Sequence, residues 1–235
     1  MANFDDQVKG TTGLTISSSS TTPTEAELST FLNDGVIDVT RKSIQSNPAS
    51  AIQFQRESAI TDDNGFDTAG AQVLSVIREA GADGSSDGSP AWEPCRLVPT
   101  QMQSRVVDPE SLSFASKYNP AYIIDDDGLI NVYPTPDNSN DGYRVFYVNN
   151  APENSSGGSL VYNSSGIKYF PSDKIYLVVL YASIKSLEAS AASKTVAQDI
   201  ELQGSYSNLA NSLKAEYNAA FQGQQQQQAG APARR

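Results

Sequence analysis

Phe170-Pro171-Ser172-Asp173-Lys174-Ile175-Tyr176-Leu177-Val178-Val179-Leu180-Tyr181-Ala182-Ser183-Ile184-Lys185-Ser186-Leu187-Glu188-Ala189 decides the fold. Pro171-Ser172-Asp173 opens the segment, and Ile175, Val178, Val179, Ala182 and Leu187 fall on one side at helical spacing. The β-branched residues of the first half would also suit a strand. The continuation Ile184 to Ala189 is helical and decides the reading. The first half is apolar all round, the mark of a helix buried on every side. A second helix follows over about 195–222, with Leu202, Tyr206, Leu209, Leu213 and Tyr217 in an amphipathic stripe. Two long helices joined by a short connection pack antiparallel.

At the other end, Thr24 to Glu27 fits a capping box, with Thr24 as N-cap and Glu27 reaching back. Leu28, Leu32, Val36 and Val39 continue a helical stripe, Arg41-Lys42 suits the C-terminal end of the macrodipole, and Asn47-Pro48 stops the helix. Gly35 costs about 1 kcal/mol relative to Ala inside a helix, which points to close packing against a neighbour. Residues 1–23, with Gly10-Thr11-Thr12-Gly13 and the run Ser17 to Pro23, read as an extended arm.

Between these helical ends the period changes. Phe54–Ile60 and Val73–Glu79 are short and fit more than one state, and Asp83 to Pro90 is a loop. Asp108-Pro109-Glu110-Ser111-Leu112 has the pattern of a helix start. Ala121-Tyr122-Ile123-Ile124, then Asp125-Asp126-Asp127-Gly128, then Leu129-Ile130-Asn131-Val132-Tyr133 is a hairpin signal. Tyr143–Asn149 reads as a further strand and Leu160–Tyr162 as a weak one. The fold class is therefore α+β. A helical bundle of the N-terminal helix plus the C-terminal helix pair carries an inserted small antiparallel β domain. The expected divisions are an arm at 1–23, a bundle at 24–48 plus 171–222, an insertion at 49–170, and an extended tail at 223–235.

Composition limits the chemistry. The chain has 235 residues, long enough for a real core, with only 38% apolar and 18% charged residues, so small polar types fill the difference. It has no histidine and one cysteine, Cys95. That excludes a Ser-His-Asp triad, a Cys-His pair, an intrachain disulfide and any zinc site built from His or from Cys alone. One Cys without a disulfide framework fits a reducing cytoplasm. Cys95 reads as a small buried hydrophobe rather than a nucleophile. No catalytic residue, cofactor or metal is expected. Met1 to Asp6 is acidic where a signal peptide is basic, and the longest apolar run, Ile175 to Ala182, is too short to span a bilayer. No export signal and no membrane partner are expected.

The net charge of −11 is concentrated. Residues 61–141 hold 14 acids against 4 bases, a net of −10. Such a surface repels nucleic-acid phosphates, although generic solubility also accounts for it. Asp125, Asp126 and Asp127 could offer three carboxylates to a cation. Leu129 breaks the alternation that an EF-hand loop needs, which favours a solvated turn. Asn154-Ser155-Ser156 and Asn163-Ser164-Ser165 match glycosylation sequons but lack an export signal. Paired carboxylates for hydrolysis are open in principle, with nothing pointing to them beyond the presence of acids.

The order of elements, with Ala26–Val39, the hairpin Ala121–Pro134 and Phe170–Ser183, resembles the head-to-tail adaptor proteins of tailed bacteriophages. These are also called connector, neck or tail tubular proteins. The resemblance covers roughly 24–222. It implies a structural virion protein at the head–tail neck, made in the host cytoplasm, with no enzymatic activity. Such a protein forms a homo-oligomeric ring, commonly a dodecamer, that docks on the portal and meets the next tail component, a nozzle, stopper or tail tube protein. Genomic DNA passes through the ring during ejection without specific binding. Within that picture Asp125, Asp126 and Asp127 could face the channel. The tail residues Gln224, Gln225, Gln226, Gln227, Gln228, Arg234 and Arg235 would lie along a neighbour or the portal, and the arm at 10–23 is a second intersubunit candidate. A neck stopper or tail terminator is the main alternative. A β-rich binding module or a carboxylate-based hydrolase is the alternative of another class.

Overall fold

The computed structural model describes residues 2–19, 21–80, 92–136, 142–148, 151–196 and 199–229, with 222–229 by their backbone. The helices are α1 (Phe4–Thr12), α2 (Glu25–Ser46), α3 (Gln103–Val107), α4 (Ile175–Val196) and α5 (Ile200–Ala229). The strands are β1 (Gln55–Glu57), β2 (Phe66–Asp67), β3 (Val73–Glu79), β4 (Trp92–Pro94), β5 (Arg96–Leu97), β6 (Ala121–Ile124), β7 (Leu129–Tyr133) and β8 (Tyr143–Val148). The protein is α+β. It divides into two units, Met1–Phe54 with Ala151–Arg235, and Gln55–Asn150. The inserted unit is thus shorter than the expected 49–170, because 151–170 packs with the helices.

In the first unit α4 is the core. Leu177, Val178, Val179, Leu180, Ala182, Ile184 and Leu187 are all buried, and α1, α2 and α5 pack on it. The capping box that starts α2 is formed: Glu27 N donates to Thr24 Oγ1 (3.2 Å) and Thr24 N donates to Glu27 Oε2 (2.7 Å). Leu28, Leu32, Val36 and Val39 are buried on one face. Gly35 allows close approach, since a Cβ there would sit 3.1 Å from Tyr181 Cδ1 and 3.3 Å from Val178 Cγ1.

Three expectations are corrected here. The N-terminal segment is not an extended arm throughout. It contains α1, whose Phe4 and Val8 join the helical core together with Leu14 and Ile16. Phe4 and Val8 suffice to bury one face of this short helix, and the polar composition of 10–23 hides Leu14 and Ile16, which follow it. Gly13, at φ +69°, ends α1 by donating its N–H to Lys9 O (2.8 Å). The tail is not extended from 223, since α5 continues to Ala229. Gln and Ala are good helix formers, and extending an existing helix needs no new nucleus. The buried stripe of α5 is Ala210, Leu213, Tyr217 and Phe221, while Leu202 and Leu209 are exposed. The last turns of α4 carry Ser190, Ala192, Ser193 and Lys194, which offer little apolar surface to cover the start of α5.

The weak strand expected at Leu160–Tyr162 is irregular chain. Side chains of α2 take its backbone groups instead: Asn33 Nδ2 donates to Leu160 O (3.0 Å) and Tyr162 N donates to Ser29 Oγ (3.0 Å). With those groups satisfied, no ladder partner is required.

The second unit holds two four-stranded sheets, β1-β8-β3-β4 and β2-β7-β6-β5. Val76, Tyr143 and Val145 of the first meet Tyr122, Ile130 and Val132 of the second in one core. The β6–β7 hairpin forms in the expected register, with Ala121 opposite Tyr133 and Ile124 opposite Ile130. The unit is not purely antiparallel, because β5 pairs parallel with β6. An outer layer, 98–118, covers the other face of the second sheet through Val98, Val106 and Ala115 against Ala121 and Ile123. No helix starts at Asp108. α3 has ended at Val107, and Asp108 Oδ1 accepts from Glu110 N (3.0 Å) in a turn.

The buried position of Phe4 separates a packed helix from a loose arm. Phe4→Ala is expected to lower the unfolding free energy by about 3–5 kcal/mol, as core aromatic truncations do. Urea denaturation followed by circular dichroism checks it, and a change within about 0.5 kcal/mol would contradict the packing.

Candidate functional site

The turn between β6 and β7 is built by Asp125. Its Oδ1 accepts from Leu129 N (2.8 Å) and its Oδ2 from Asn131 Nδ2 (3.2 Å), while Gly128 at φ +83° closes the reversal. The Asp125 carboxylate is therefore spent on the turn. Asp126 and Asp127 point to solvent. Among the described residues no group of three or more His, Cys, Asp or Glu is placed to hold a metal ion.

Those two exposed carboxylates belong to a longer acidic edge. β2 lies beside β7, with Asp67 opposite Leu129, and the chain reaches this edge after Thr61, which pairs with Tyr143 of β8 in the other sheet. Asn64 fixes it there, donating from Nδ2 to Val132 O (3.2 Å) and accepting at Oδ1 from Val132 N (2.8 Å). Asp62, Asp63 and Asp67 on this segment are exposed, as is Ile60 just before it.

The opposite side of the sheet has a different character. The strand order puts β5 at the far edge from β2. Leu97 on β5 and Val107, Leu112, Phe114 and Tyr118 on the outer layer are exposed, Leu112 completely. Arg105 and Lys117 lie in the same layer, and Arg96 anchors it by donating to the carbonyls of Ser113 and Phe114. Segment 96–118 carries three bases and two acids inside an otherwise acidic unit. Sequence reasoning missed this surface. Its signal was a run of apolar residues mixed with Arg and Lys and lacking either helical or strand periodicity.

The remaining buried polar groups serve the fold. Cys95 is half-buried, and desolvation pushes its thiol up to about 12, the Arg78 charge opposing only weakly. A thiol so protonated is a poor nucleophile. Glu79 is buried and accepts from Gly142 N (2.8 Å), and Arg78 donates from Nε to Pro134 O (3.0 Å). In the helical unit Tyr217 donates to Asp38 Oδ2 (2.6 Å), and Lys42 reaches the same oxygen (2.8 Å) from above the Tyr217 ring. Burial, then the Asp38 carboxylate, raises the Tyr217 hydroxyl above the ordinary tyrosine value. Burial opposes ionisation of Glu188, but hydrogen bonds from Lys214 and Lys185 outweigh it and hold the carboxyl below its usual range.

Two polar grooves open on the first unit. One of about 370 Å³ lies among Leu14, Thr15, Thr22, Ser190, Lys194 and Tyr206. The other brings Asn154 and Asn163 together, but Asn154 is occupied in its own turn, accepting from Ser156 N (2.9 Å) and donating to Ser159 O (3.1 Å). Gln224, Gln225, Gln226, Gln227 and Gln228 lie in the last turns of α5. Arg234, Arg235 and the loop 83–90 fall outside the described residues.

Among the described residues these polar groups shape turns, fasten helices or stand at the surface. No known family model matches the chain, and no curated protein matches it in sequence.

Two predictions follow from the polar groups. Asp125→Ala is expected to cost about 1.5–3 kcal/mol, the range for hydrogen bonds to a charged group. Asp126→Ala should change stability by less than about 0.5 kcal/mol. Chemical denaturation of the two variants side by side measures the contrast. Lys174 is buried, with Nζ donating to Ser43 Oγ (3.0 Å) and lying over the Phe54 ring, and desolvation lowers its pKa despite Asp173. The unfolded chain holds this proton up to the ordinary value of 10.5, above the folded-state pKa, so stability rises with pH through that window. The stability of the wild type relative to Lys174→Met should therefore increase as pH climbs toward 10.5. A difference that stays flat across an alkaline series would show that the ammonium is not desolvated.

Proposed function

We propose that this chain is a structural subunit of a tailed-phage neck, one copy of a homo-oligomeric ring that joins the portal to the tail and continues the DNA channel. The observation that carries this reading is the exposure of large apolar side chains on each of the two units. Leu97, Leu112, Phe114 and Tyr118 crowd the outer layer of the inserted unit, and Ile200, Leu202 and Leu209 mark the start of α5. Contiguous apolar exposure marks an interaction surface. A ring subunit needs at least two unlike faces, because head-to-tail contacts join different patches of the same chain.

The sequence resemblance supplies the setting, and the chemistry agrees with it. The described carboxylates shape turns, pair with Lys or Tyr, take a buried backbone N–H or face solvent. The acidic balance of the inserted unit suits a path along which phosphates slide without adhering. In this reading the C-terminal end of α5 presents Gln224 to Gln228 to the portal on a helix rather than on an extended tail.

Mass photometry of the purified chain, alone and mixed with purified portal, tests the proposal. The expected result is a ring-sized species that joins the portal, with a dodecamer favouring an adaptor. A hexamer would assign the chain to the stopper or terminator class. A chain that stays monomeric at every concentration and ignores the portal would overturn the reading.

A further inference from the structure

We infer that copies of this chain join head to tail through their inserted units, the outer layer 96–118 of one copy seating on the β2 edge of the next. The inference rests on the ring reading and specifies the contact within it. The occupant of the exposed apolar layer is thus a second copy, and charge is the argument for it. Segment 96–118 carries Arg96, Arg105 and Lys117 against Asp108 and Glu110, a net of +1 in an otherwise acidic unit, and exposes Leu112, Phe114 and Tyr118. The β2 edge presents Asp67, with Asp126 and Asp127 in the adjoining turn, and the link that leads into β2 carries the exposed Ile60, Asp62 and Asp63. A partner for the layer needs an apolar contact ringed by carboxylates, and the chain carries that surface itself.

Topology makes the contact repeatable. The layer packs on the face of the sheet turned away from the unit's main core, and β2 is the sheet's terminal strand, so the two surfaces are different parts of the same unit. Each copy can then use both at once, one toward each neighbour. That is a heterologous contact, which closes into a ring or runs on as a filament. The central apolar contact supplies area, and the opposite charges select the register and reject the like-with-like pairing of two layers or two edges. An open sheet edge is also protected when a neighbour covers it, and acidic side chains discourage any strand other than the intended partner. The inference moves Asp126 and Asp127 from the channel wall to the boundary between copies, while Asp125 keeps its place inside the turn.

The test is a charge exchange read by sedimentation velocity over a concentration series, with circular dichroism confirming that each variant is folded. One variant carries Arg105→Glu with Lys117→Glu, and the other carries Asp62→Lys with Asp126→Lys. Each alone places like charges across the contact and is expected to self-associate at least about tenfold more weakly than the wild type. Mixed together, the reversed layer of the first meets the reversed edge of the second, and the unreversed pair also matches. Assembly should therefore return in the mixture. Raising salt should weaken wild-type assembly, since the guiding charges are exposed. Leu112→Asp, at a fully exposed position, should abolish assembly without unfolding the chain. Assembly of both charge variants at wild-type strength would overturn this contact and leave the ring reading intact. Loss of assembly in both without recovery on mixing would show that the two surfaces do not meet. A wild type that never assembles, with or without portal, would overturn both readings together.

Discussion

The structure of the first unit depends on one constraint: the first half of α4 is apolar around nearly its whole circumference. Leu177 to Leu180 occupy four consecutive positions and therefore point in four directions, and all are buried. No single neighbour can cover such a helix. α2 covers one side, and Gly35 lets it approach closely enough to do so. α5 covers another through Leu213, Tyr217 and Phe221, and α1 closes a third with Phe4 and Val8. Because these partners come from both ends of the chain, the middle of the sequence is excluded from this core and forms its own. By length and composition α4 could cross a membrane, and here protein takes the place that lipid would hold.

Polar groups inside that unit fasten helices whose apolar contacts are not directional. Asp38 on α2 binds both Tyr217 of α5 and Lys42 of its own helix. Glu188 of α4 holds Lys214 of α5. Lys174 reaches Ser43 near the C-terminal end of α2, where free carbonyls favour a cation even as burial disfavours the charge. These pairs set the rotation of each helix, which hydrophobic burial alone leaves loosely defined. The same economy appears in the inserted unit, where Asp125, Asn64 and Glu79 spend their side chains on backbone N–H groups. Their engagement leaves the outward carboxylates and the exposed apolar layer as the surfaces open to a partner.

Much of the helical framework was legible. The capping box at Thr24 to Glu27, the stripe Leu28 to Val39 and the apolar entry at Ile175 are local signals, and local geometry satisfies them. The β6–β7 hairpin was legible for the same reason, since Gly128 and its flanking strands form it with no distant help. The errors share a cause. α1 was hidden because Phe4 and Val8 are too few to show periodicity, and only contact with α4 makes them core. The α5 stripe is right at Tyr206, Leu213 and Tyr217 and wrong at Leu202 and Leu209, which fit the pattern although the last turns of α4 are small and polar. Leu160 to Tyr162 looked like a strand because nothing in the sequence shows that Asn33 and Ser29 will take its backbone groups. The outer layer went unread because its apolar residues follow no period and lie far apart in sequence from the β2 edge.

The sequence alone determined the class: where α2 and α4 begin, where the turn of the central hairpin falls, and which chemistries a chain without histidine cannot perform. Those follow from near neighbours and from composition, which need no knowledge of what lies across the fold. Only the tertiary structure decided which apolar residues are core and which are left on the surface. Burial is a property of pairs brought together over long separations, so Phe4 and Leu112 look alike in the sequence. One is sealed beneath α4 and the other stands wholly in water.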